Sequence, residues 1–158
     1  MKIINICKGR LIEKIMTITP ELIQERSING EINKQDALDL LTVLIENSEN
    51  DSLRLKSLTA LQELNFRSED LYNLLEHLLL SDENEEVRSL AGRILILSFS
   101  EKELKPIMWA IENETSYSCL SSLFESIREV DNFNYHKVLL SFLMNILHRL
   151  MKRRHLNF

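Results

Sequence analysis

Glycine, proline and cysteine are scarce in this chain, at three, two and two of 158 residues. Sheets and long open loops take their turns from glycine and proline, so the scarcity points to helices joined by short polar turns. The two cysteines, Cys7 and Cys119, stand far apart, with no CxxC or Cys/His spacing that would hold a metal. They read as buried free thiols rather than a disulfide, which fits a reducing compartment. Gly9, Gly30 and Gly92 form no phosphate-cradling loop. No run approaches the roughly 20 apolar residues of a membrane span, and the stretch Ile3 to Cys7 is too short for a signal-peptide core. The expected location is cytoplasmic.

Acidic residues are absent from the last 27 residues. All 24 lie before Asn132, where 14 Lys and Arg leave a net charge of −10; residues 132–158 carry Lys137, Arg149, Lys152, Arg153 and Arg154, a net +5. The two parts either attract each other or the tail seeks another anionic surface.

What the chain has in abundance is leucine, at helical spacing and in a repeat. Leu40, Leu41, Leu44, Ile45, Glu49 and Asn50 recur as Leu74, Leu75, Leu78, Leu79, Glu83 and Asn84, all 34 residues on. Leu53, Arg54, Ser57 and Leu61 recur as Val87, Arg88, Ala91 and Leu95. A fixed period of this size means stacked supersecondary units. Each unit reads as two helices. In the first, positions 37, 38, 40, 41, 44 and 45 form one stripe; in the second, Leu53, Leu58, Leu61 and Leu64 share a face. Ser68 is an N-cap before Glu69 and Asp70, and Asn84-Glu85-Glu86 opens a helix by the same logic. A third unit starts with Ser100 and Glu103 in a capping-box pattern. Its stripes are Leu104, Ile107, Met108 and Ile111, then Leu120, Leu123, Phe124 and Ile127. At the front, Thr19-Pro20-Glu21 starts a short helix that Ser27-Ile28-Asn29-Gly30 ends.

Asn84-Glu85-Glu86-Val87-Arg88-Ser89-Leu90-Ala91 resembles the start of the second helix in HEAT repeats, and Asn50 to Ser57 is a looser copy. The third unit, at Ser116 to Ser121, lacks the arginine. The resemblance covers roughly residues 34–130. It implies a right-handed helical stack that serves as a scaffold, with Arg54 and Arg88 tying turns of adjacent repeats together.

Catalytic chemistry finds no foothold. No two of His77, His136, His148 and His155 fall at a helical i, i+3 or i+4 spacing. Glu76 and His77 lie about 100° apart on a helix, poor geometry for a shared metal. Carboxylate pairs such as Glu85/Glu86 sit at helix starts, where they cap and solvate. No serine occupies a nucleophile elbow.

Binding has more to offer. In helical register the second helices present three ladders: Leu55, Ser89 and Ser122; Thr59, Arg93 and Ser126; Gln62, Ile96 and Glu129. Should these line a concave face, Leu55 and Ile96 are apolar side chains in a groove, unless long neighbours cover them. Trp109, the only tryptophan, lies at or beyond the edge of its stripe, as an interface anchor or a contact to the next repeat. The last helix, from about Asn134 to Arg153, has an apolar arc of about 240° from Val138 to Met151 that includes Leu143 and Leu147, whereas one-sided burial needs about 100°.

The expectation is therefore an all-α chain: a short right-handed α-solenoid of HEAT-like hairpins, about seven to nine helices, one domain overall. Residues 1–33 would be irregular capping helices, 34–130 the repeats (34–66, 67–99 and 100–130), and 131–158 a long basic amphipathic helix. The expected function is a protein-interaction scaffold with no catalytic activity, cofactor, metal or small-molecule substrate. Leu55, Arg93, Ile96, Trp109, Leu143, Leu147, Arg153 and Arg154 are its candidate contact residues, with self-association through the last helix. Nucleic-acid binding, or a membrane surface met by the basic helix, is the alternative.

Overall fold

The computed structural model describes residues 19–100, 102, 105–130, 136, 137, 140, 143 and 144. Among these residues there are seven α-helices and no strand: α1 (Pro20–Ile28), α2 (Lys34–Asn47), α3 (Asp51–Glu63), α4 (Glu69–Ser81), α5 (Glu85–Ser98), α6 (Lys105–Asn113) and α7 (Tyr117–Glu129). None is long and apolar enough to cross a membrane. The chain divides into two compact units, Met1–Phe66 and Arg67–Phe158.

Helix starts are written locally. Side-chain oxygens of Thr19, Asn33, Asn50, Ser68, Asn84 and Ser116 each accept a backbone N–H from the first turn of the helix that follows. Pro20 sits in the first turn of α1, where its missing N–H costs nothing. Behind α1 the chain turns through Gly30 at φ 75°, a conformation that glycine adopts without strain.

In the first unit α1 packs on both members of the α2–α3 hairpin. Ile23, Leu41, Ile45, Leu58 and Leu61 are fully buried there. Leu40 and Leu53, read as core, are only half-buried. Glu21 of α1 meets Lys56 of α3 at 2.9 Å, and this bond holds its carboxyl down at about 2. Gln24 donates to Glu63 on the same pair of helices.

In the second unit α5 packs against both α4 and α7, and α4 also packs against α6. A helix with neighbours on two sides is buried on two faces. Viewed down α5 at 100° per residue, its buried side runs from Ile94 through Val87, Leu95 and Gly92 to Ile96, about 200°. Ile96 is therefore 0% exposed, which corrects its assignment to an open groove. Gly92, one turn before Ile96 on the same face, permits the close approach. A Cβ there would overlap Leu123 Cδ2 of α7 and come within 3.0 Å of Leu79 Cδ1 of α4. Gly92→Ala should gain about 1 kcal/mol of helix propensity and lose about 1–3 kcal/mol to overpacking. The expected balance is a net loss of about 1 kcal/mol, measured as a lower urea midpoint at unchanged m-value.

The inner face of α6 also departs from the expected stripe. Pro106, Ile107, Ala110 and Ile111 are buried, while Met108 turns outward at 36% exposure. Four small or branched residues at i, i+1, i+4 and i+5 fill the space against α4, and Met108 falls beyond their edge. At the other end of the unit, Tyr72 and Phe99 meet edge to face at 5.5 Å, and Lys102 Nζ stands 4.5 Å over the Tyr72 ring while pairing with Glu69.

Candidate interaction surface

Arg88 makes four hydrogen bonds in the second unit. From the first turn of α5, its Nη1 donates to the carbonyls of Asp82 (2.8 Å) and Glu83 (3.0 Å). Its Nε and Nη2 donate to the two carboxylate oxygens of Glu114, at 2.8 and 3.0 Å. Glu114 lies between α6 and α7, so one guanidinium joins the α4–α5 turn to the α6–α7 turn. Arg54, at the matching position in the first unit, donates to the Ile45 carbonyl (3.2 Å) and to Asp51 (3.1 Å).

Glu114 is 6% exposed in its side chain and also accepts the backbone N–H groups of Thr115 and Ser116, at 2.8 Å each. The Arg88 bonds, aided by these N–H groups, hold its carboxyl at about 2 although burial alone would raise it. Cys119, buried on α7 and not in a disulfide, faces the opposite influence: burial and then the Glu114 carboxylate push its thiol up to about 12. That thiol stays protonated and inert at neutral pH.

The carboxyl of Glu114 is harder to protonate folded than unfolded. Its contribution is thus complete above pH 4.5 and lost as pH falls toward about 2. Between pH 5 and 3 this group should remove about 2 kcal/mol of stability. Urea midpoints at the two pH values should differ clearly less in Glu114→Gln than in the parent chain.

Beside this ion pair lies a cleft of about 290 Å³, lined by Leu79 to Ser81 at the end of α4, by Trp109, Ala110 and Asn113 of α6, and by Asp82, Arg88, Glu114 and Thr115. Trp109 stands at its rim, 51% exposed. Lys105, Met108, Trp109, Glu112 and Asn113 follow one another at i, i+3, i+4, i+7 and i+8, and all are exposed, so the outward face of α6 carries a methionine and a tryptophan side by side.

The other residues expected to bind scatter. Leu55 is half-buried in the first unit. Arg93 is half-buried and held by Glu129 of α7 through two bonds, at 3.2 and 3.0 Å. Ser126, its ladder neighbour, is fully buried and donates to the Ser122 carbonyl at 2.7 Å. Leu143 is exposed with Leu140 and Met144, each on helical backbone. Leu147, Arg153 and Arg154, and most of the apolar arc from Val138 to Met151, lie outside the described residues. The cleft itself went unforeseen, because two helix ends 32 residues apart show no signal in sequence.

Residues 26–96 match the family model described as HEAT repeats. No curated protein and no solved structure matches the chain.

Proposed function

We propose that this chain is a non-catalytic protein-interaction scaffold, because residues 26–96 match the model of HEAT repeats, modules that generally mediate protein–protein interaction. The observation that carries the reading is the outward face of α6. A helix packed on one side ordinarily turns polar residues to water. Here Met108 and Trp109 are exposed next to each other, and tryptophan is the side chain that most often anchors an interface. Among the described residues of the second unit, Glu114 and Cys119 are strongly perturbed, and the tie between turns accounts for both without a catalytic role. Arg93 and Lys56, the cations that a nucleic-acid groove would use, each pair with a carboxylate of their own unit.

The exposed Leu140, Leu143 and Met144 support a second contact, between two copies of the chain, with the cationic stretch 132–158 meeting acidic turns. The α6 face is tested with a photo-cross-linking amino acid at Glu112, in cells, with and without Met108→Ser, Trp109→Ser. A discrete cross-linked protein that disappears in the double variant is the expected result. Equal cross-linking in both would remove the α6 face from the reading. Light scattering of the parent and of Leu143→Glu decides self-association: a monomer at high micromolar concentration ends that part.

A further inference from the structure

The cleft beside Trp109 has a chemistry that the scaffold reading does not specify. Both helices that end in it, α4 and α6, point their C-terminal ends at it, and neither carries a basic residue in its last turn. The end of a helix concentrates partial negative charge on carbonyls that have no intrahelical partner. On α4 the final backbone bond runs from Asp82 N–H to the Leu78 carbonyl, which leaves the carbonyls of Leu79, Leu80 and Ser81 without one. Among the described lining residues the only cation, Arg88, is occupied: Glu114 neutralises it and the Asp82 and Glu83 carbonyls take its remaining bonds.

The geometry points to this cleft as a receptor for one arginine side chain of a partner protein, its guanidinium on the free carbonyls of the α4 end and its plane against the Trp109 indole. The inference rests on the scaffold reading and specifies the partner's chemistry. Three observations agree on the occupant. Neither helix that ends at the cleft carries a basic residue in its own last turn, and the α4 carbonyls of Leu79, Leu80 and Ser81 are not among those that Arg88 reaches. The cleft's rim is an exposed indole, the aromatic surface that best receives a cation, and guanidinium stacks on it as ammonium does not. The chain already uses a guanidinium on carbonyls beside the cleft, where Arg88 closes those of Asp82 and Glu83 just past the α4 end. A volume of about 290 Å³ falls just below the range for small-molecule sites, about 300–1,000 Å³, and suits one side chain rather than a cofactor.

The test titrates the full chain with N-acetylarginine amide and, as its neutral isostere, N-acetylcitrulline amide, following NMR amide shifts of residues 79–82 and 109–115. Saturable shifts in the millimolar range are expected with the arginine probe, and at least tenfold weaker ones with citrulline. Trp109→Leu should weaken arginine binding at least fivefold. Ser81→Lys, at an exposed position, supplies the missing cation and should abolish binding while raising the melting temperature, so its failure to bind is not a failure to fold. Equal response to both probes, or arginine shifts that survive in Ser81→Lys, overturns the proposal. If the probe fails while the Glu112 cross-link persists, this inference alone is lost. If both fail, the α6 reading is lost with it.

Discussion

Arg88→Ala is expected to destabilise the Arg67–Phe158 unit by about 3–5 kcal/mol, the usual cost of removing one partner from a buried ion pair. Glu114 would keep its two backbone donors but sit at 6% exposure with no counter-charge. The Asp82 and Glu83 carbonyls would lose their donor in the same step. Arg88→Lys should recover only part of this, because an ammonium cannot make the parallel pair of bonds to one carboxylate and reach two carbonyls besides. The single tryptophan lines the same cleft as Arg88, so equilibrium unfolding followed by its fluorescence reads this unit directly. A loss below 1 kcal/mol would mean that the tie between turns is ornamental.

Leu44→Ala and Leu78→Ala should each cost about 2–5 kcal/mol and should cost about the same. The two leucines are 34 residues apart, at the same place in the first helix of successive hairpins, and are 7% and 6% exposed. Their equivalence is the sharpest energetic statement of the repeat. Circular dichroism at 222 nm measures both, since Trp109 lies in the second unit only. Unequal costs beyond a factor of two would show that the repeat in sequence is not a repeat in cavity size.

These two sites mark how far the sequence could be read. Leu44 and Leu78 were legible because a helix writes its buried stripe within eight residues of itself. The caps at Ser68 and Asn84 were legible for the same reason: the accepting oxygen and the N–H it meets are two or three residues apart. Arg88 as a tie between turns came from its likeness to a known pattern, but its partner did not, because Glu114 lies 26 residues away. Ile96 and Met108 were misplaced by the rule that a helix buries one face. That rule fails for α5, which has neighbours on two sides, and the residue that permits this, Gly92, looks in sequence like a weak point in a helix. Trp109 was placed at the stripe's edge and is half exposed there. What it borders could not be read, since the cleft exists only where α4 and α6 end together.

Cys119 gives the second unit a built-in timer. Its thiol is fully buried and is held protonated by burial and by Glu114, so a thiol reagent can act only on molecules in which α7 has parted from α5. When reclosing is faster than the reaction, the labelling rate is the opening constant multiplied by the rate of an unprotected cysteine. In a Cys7→Ser background, alkylation of Cys119 therefore reports how often this unit opens under native conditions, without denaturant. Variants that loosen the tie between turns should speed labelling in proportion to the opening they cause, about tenfold for each 1.4 kcal/mol.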